Sequence, residues 1–160
     1  MALTDYSSME GEIKNAPEPT AIKKGTEVRA RIIGVRTGEV EKEDSDYLGF
    51  SYFSVSFDAP DEPIAAEFSD FFWGLENRDK MSEKDFLRAV RKFRTFAEAF
   101  GLDYSKPFDL EDDLPGKIGW LITGKPKESD EYGLQTTVSK YIGAPTAGAS
   151  SNGPGPQAPF

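Results

Sequence analysis

The stretch that decides the fold is Ser82–Gly101, SEKDFLRAVRKFRTFAEAFG. Phe86, Val90, Phe93, Ala97 and Phe100 recur at the three-and-four spacing that gathers side chains on one side of a helix. Ser82 occupies the N-cap position, with Asp85 three residues on, where a capping box more often carries Glu. Gly101 falls where a left-handed C-cap belongs. The opposite face carries Lys84, Arg88, Arg91, Lys92 and Arg94. This is the one strong helical signal in the chain, and the segments on both sides of it alternate like strands.

Upstream, Thr26–Val40 alternates with Val28, Ala30 and Ile32 on one side and Arg29 and Arg31 on the other. The parity of its apolar set switches at Ile32-Ile33, which predicts a bulge inside a long strand. Tyr47–Phe57 turns Phe53, Val55 and Phe57 inward and Tyr52, Ser54 and Ser56 outward. Pro60-Asp61-Glu62-Pro63 makes a turn into a third strand, Ile64–Trp73, with Phe71 and Trp73 opposite Ile64, Ala66 and Phe68. Downstream, Lys117–Lys125 and Leu134–Ile142 read as two more strands. The order β-β-β-α-β-β, with the single helix between strands three and four, is that of a five-stranded OB-fold barrel, mainly β. The expected organisation is a flexible N-terminal arm over 1–22, the OB-fold domain over 23–143, and a disordered Gly/Pro-rich tail over 144–160.

With 160 residues, the chain is long enough for one domain with a sizeable core. It contains neither cysteine nor histidine, which removes disulfides, Ser-His and Cys-His catalysis and ordinary zinc sites. The carboxylates at Asp109, Glu111, Asp112 and Asp113 read as an acidic connector rather than a metal site. No catalytic residue, metal or cofactor is expected. No apolar run is long enough for a membrane span, and Met1–Asn15 lacks the order of a signal peptide, so the expected location is the cytoplasm.

The formal charge of -9 excludes a uniformly basic coat, but it hides a segregation. Lys23–Arg36 has five basic residues against Glu27, whereas Glu39–Glu62 has eight acids against Lys42. Salt screens charges beyond roughly 8 Å, so a basic strand face can attract phosphate while acids sit elsewhere on the surface. Outward aromatic residues interleaved with Lys and Arg suit unpaired nucleic acid, which offers ring faces and phosphates together. The candidates by parity or position are Arg29, Arg31, Arg36, Tyr52, Phe71, Trp73, Lys125, Lys140 and Tyr141, with Phe50 and Trp120 standing closer to the core.

The stretch Leu114–Ile122 (LPGKIGWLI), the charged loop Lys125–Gly133 (KPKESDEYG) and Gln135–Ile142 (QTTVSKYI) resemble the C-terminal half of phage-encoded single-stranded DNA-binding proteins. The helix leading into Gly101-Leu102 and the acidic Phe108–Glu111 segment are similar in placement. The resemblance spans roughly Lys23–Gly143. It implies an OB-fold that coats single strands during phage replication or recombination, without catalysis and inside the host bacterial cytoplasm. Lys117, Lys125, Lys140 and Tyr141 fall on the family's basic and aromatic pattern.

Many single-stranded DNA-binding proteins also end in a mobile acidic tail tipped by Pro-Phe that docks on replication or recombination partners. This sequence finishes Ala158-Pro159-Phe160 without the preceding acids, so Pro159 and Phe160 are the candidate partner-docking residues. The rival reading is a protein-interaction module, either a recombination accessory factor or an acidic DNA mimic, as the negative balance suggests. An enzyme ranks last.

Overall fold

A computed structural model describes residues 2–131 and 133–145. The protein is mainly β, built on one five-stranded antiparallel sheet with a few helices. The strands are β1 (Glu27–Glu39), β2 (Ser51–Asp58), β3 (Phe68–Trp73), β4 (Ile118–Ser129) and β5 (Gly133–Ile142). Among the described residues the α-helices are α1 (Glu10–Lys14), α2 (Glu83–Phe100) and α3 (Leu110–Asp113), with 3-10 turns at Ser7–Met9 and Leu75–Lys80. The order across the sheet is β3-β2-β1-β4-β5, which leaves β3 and β5 as its edges.

Helix α2 has the ends its sequence predicts. The Ser82 hydroxyl accepts the Asp85 N–H at 3.1 Å, and Gly101 takes a left-handed φ of 70° while its own N–H bonds back to the Ala97 carbonyl. Its buried side is Phe86, Phe96, Ala97 and Phe100, while Val90 and Phe93 are only half-buried. Phe96 and Phe100 pack with Phe57, Phe72 and Tyr141 in a cluster of rings whose centroids lie 4.8–6.2 Å apart. Burying each such side chain contributes on the order of 1.5–3 kcal/mol, so this aromatic knot is the main fastening between helix and sheet.

The bulge in β1 is present. Ile32 pairs with Phe57 and Gly34 with Ser56, leaving Ile33 as the surplus residue. Before it, Val28, Ala30 and Ile32 face inward; after it, the partners of Val35 and Thr37 are the core residues Val55 and Phe53. Arg29 and Arg31 from one half of the strand and Arg36 from the other therefore share the outer face.

Several boundaries differ from expectation. The third strand begins at Phe68, because residues 64–66 leave β2 and instead bridge Thr20, with the Thr20 N–H on the Ile64 carbonyl at 2.8 Å and the Ala66 N–H on the Thr20 carbonyl at 2.9 Å. The end of the expected flexible arm is thus tied to the body. Ile22 is buried, and its N–H donates to Thr136 Oγ1 at 2.8 Å. Two short helices, α1 and α3, join the single helix that was expected. The acidic connector supplies α3 with its own cap: Asp109 Oδ1 accepts the Glu111 and Asp112 N–H groups at 2.9 and 3.0 Å. Among the described residues no helix is long and apolar enough to cross a membrane. The expected tail lies, from residue 146 on, outside the described residues, as do Pro159 and Phe160.

Candidate functional site

The outer face of β1, β2 and β3 carries an aromatic panel. Cross-strand register sets its rows: Gly38, Tyr52 and Trp73 in one, and Arg36, Ser54 and Phe71 in the next. The Tyr52 and Phe71 rings stack at 5.3 Å with 25° between planes, and Phe71 meets Trp73 edge-on at 4.8 Å. Trp73 in turn packs on Tyr47 at 5.0 Å and on Phe50 at 5.3 Å, both from the turn before β2. Phe71 and Tyr47 remain 43% and 50% exposed, far more than a core ring, while Tyr52 and Trp73 are half-buried and Phe50 is buried beneath them.

The backbone beneath this panel is held closely. The Tyr52 ring lies against Gly38, where a Cβ would come within 2.7 Å of Tyr52 Oη. The missing side chain is what lets Tyr52 lie flat across β1. The first residue of β2 is gripped by the buried Asn77, whose Oδ1 accepts the Ser51 N–H at 2.8 Å and whose Nδ2 donates to the Ser51 carbonyl at 2.7 Å. A side-chain amide thus stands in for a neighbouring strand. Lys80 Nζ donates to the Gly49 carbonyl at 2.7 Å, fixing the turn that carries Tyr47 and Phe50.

The candidate cations divide. The Arg29 guanidinium is held at two points by Asp61, Nε to Oδ2 at 2.9 Å and a terminal nitrogen to Oδ1 at 3.0 Å. Their hydrogen bond, aided by opposite charge, holds the Asp61 carboxyl below its usual range and raises Arg29. Arg31 pairs with Asp58 at 2.9 Å. Both arginines lie on the expected face, but their charges are engaged by carboxylates that the chain itself supplies. Arg36 is exposed and has no ion pair among the described residues. Lys117 is half-buried with Nζ 3.5 Å from the Gly101 carbonyl, at the negative end of α2. Lys125 and Lys140 are exposed, on β4 and β5.

Tyr141 is a correction. It is 7% exposed, sits in the aromatic core and donates its hydroxyl to Asp70 Oδ2 at 2.6 Å. Burial, then the Asp70 charge and the hydrogen bond, push its phenol well above the usual tyrosine value. It cannot stack on anything outside the protein. The cause is a surplus residue in β5: Ile122 pairs with Lys140 but Thr123 with Val138, so Ser139 is bulged and the strand changes phase before Tyr141.

No family model, curated protein or solved structure shows a significant match to this chain. The site must therefore be read from its own chemistry. Flat rings open to solvent beside a free guanidinium offer stacking area and positive charge together. Parity alone places Tyr52, Phe71, Trp73 and Arg36 on one face, as the register does; it gives no sign of Tyr47 or Asn77, whose contacts with that face come from loops. Among the described residues no group of three or more carboxylates converges to hold a metal ion.

Proposed function

We propose that this protein is a non-catalytic, sequence-tolerant single-stranded DNA-binding protein, acting in phage DNA replication or recombination. The observation that carries the reading is the panel of Tyr52, Phe71 and Trp73 on the outer face of the sheet, extended by Tyr47 from the turn before β2 and backed by the buried Phe50, with Arg36 on the same face. Stacking on such rings is nearly independent of base identity and contributes about 1–3 kcal/mol per base, while cations track the backbone. We read the fold as an OB-type barrel. The order β3-β2-β1-β4-β5 supports this, since it is the OB order opened between its third and fifth strands, and the Tyr141–Asp70 bond joins those two edges.

Anisotropy titration of the full chain with labelled oligothymidine tests the reading. Binding at about 50 mM salt should weaken with a log–log slope near -2 to -3, as about three or four phosphates are neutralised at roughly -0.7 each. Absence of binding at that salt rejects it. The rival, a protein-interaction module, draws on the acids Glu39, Glu41, Glu43, Asp44 and Asp46, which run from the end of β1 through the connection to β2, and predicts a basic protein partner with no oligonucleotide affinity.

A further inference from the structure

A second concentration of positive charge lies off the panel, where α2 passes β5. Arg91 and Arg94, three residues apart on one helical face, project there beside Lys92. With Lys140 they line a cavity of about 440 Å³ that also contains Asp70 and Tyr141. Asp70 is the one acid among the described residues of this lining, and it is already engaged. Its Oδ1 meets Lys92 Nζ at 3.0 Å and its Oδ2 accepts the Tyr141 hydroxyl at 2.6 Å. Arg91, Arg94 and Lys140 are exposed and have no ion pair among the described residues. Three cations with no ion pair among the described residues, gathered around one notch, repel one another, and on a chain of formal charge -9 such a grouping stands out.

The notch is continuous with the panel. Asp70 and Val138 line it and also line a polar cavity of about 400 Å³ along the β3–β5 seam, whose wall includes Phe71. Lys92 likewise lines both the notch and a cavity bordered by Phe71, Trp73 and Tyr47, and it donates to the Phe71 carbonyl at 2.6 Å. A chain leaving the panel at Phe71 and passing over the β3 edge arrives at the three free cations. We propose that Arg91, Arg94 and Lys140 form a phosphodiester-binding site that continues the single-strand track from the panel onto α2. The inference rests on the single-strand reading above and adds to it the path of the backbone and its polyanionic recognition.

The test compares wild type with the triple variant R91Q/R94Q/K140Q and with a charge-matched control, K23Q/K24Q/K106Q. Each is titrated with oligothymidines of about four and about sixteen nucleotides, spanning the site size of one OB-type domain. On the longer oligomer the notch variant should lose about 2 from the magnitude of its salt slope, three contacts at roughly 0.7 each. On the shorter one it should match wild type, and K140Q alone should lose about 0.7 on the longer. Thermal melts establish that every variant is folded. A notch variant with the wild-type slope on the long oligomer, or a control variant with an equal loss, overturns the site while leaving the panel reading intact. Wild type that binds neither oligomer removes both, and that outcome is distinct because it appears before any variant is compared.

Discussion

The Tyr141 hydroxyl, on one edge strand, donates to the Asp70 carboxylate on the other across 2.6 Å, and the far oxygen of that carboxylate meets Lys92 of α2 at 3.0 Å. One carboxylate thus joins β3, β5 and the helix. Tyr141→Phe keeps the ring in the core and deletes only the donor. It should lower unfolding free energy by about 1–3 kcal/mol, the cost of removing one partner of a charge-assisted buried bond, measured by urea denaturation. Affinity for the four-nucleotide oligothymidine, which engages the panel alone, should stay at the wild-type value, because the hydroxyl is buried against Asp70 and touches no panel ring. A stable variant with impaired binding would contradict this placement.

Alkali should act on the same bond. With its folded-state value raised above the unfolded one, Tyr141 stabilises the fold fully below the ordinary tyrosine range near 10. That contribution disappears as pH rises through the raised folded value. Absorbance titration should therefore show one of the six tyrosines ionising last, together with unfolding. If Tyr141→Phe loses stability above pH about 10 as steeply as wild type, another group is responsible.

Trp73 touches Tyr47, Phe50 and Phe71 and is the hub of the panel. Trp73→Ala should weaken oligothymidine binding by about 1–3 kcal/mol without altering the salt slope, since no cation is removed. Intrinsic fluorescence gives a second readout: wild type should be quenched on binding, and Trp73→Phe should lose most of that quenching. Quenching that persists would assign the signal to Trp120.

Asp61→Asn should release Arg29 on the outer face. The carboxyl, held below its ordinary range by Arg29, keeps the pair intact until pH falls through that lowered value; its contribution to stability is present above the unfolded carboxylate value and lost on acidification. At neutral pH the substitution imitates that protonation. The salt slope should steepen by about 0.7 as one more guanidinium becomes available to phosphate. An unchanged slope would place Arg29 outside the track.

Local pattern was enough for much of the fold. The Ile32-Ile33 doublet announced the β1 bulge, and the caps at Ser82 and Gly101 announced the extent of α2. The outward set Tyr52, Phe71 and Trp73 followed from simple alternation. Alternation points Tyr141 outward because the bulge before it falls on Ser139, a polar residue that leaves no doubled apolar position to reveal the phase change. The pairing of Arg29 with Asp61 and of Arg31 with Asp58 depends on β1–β2 register and on the turn after β2, which no periodicity encodes. Arg91 and Arg94 were visible as the polar side of a helix, but only the approach of β5 brings Lys140 to them.

The surplus residue at Ile33 has a consequence for how this chain tolerates change. Removing it would put the second half of β1 half a pleat out of step, pointing Arg36 at the hydrophobic interior and Val35 at water. An insertion or deletion anywhere between Ile32 and Gly38 would therefore do more harm than most substitutions there: it would turn the strand's outer surface inside out while leaving its composition almost intact.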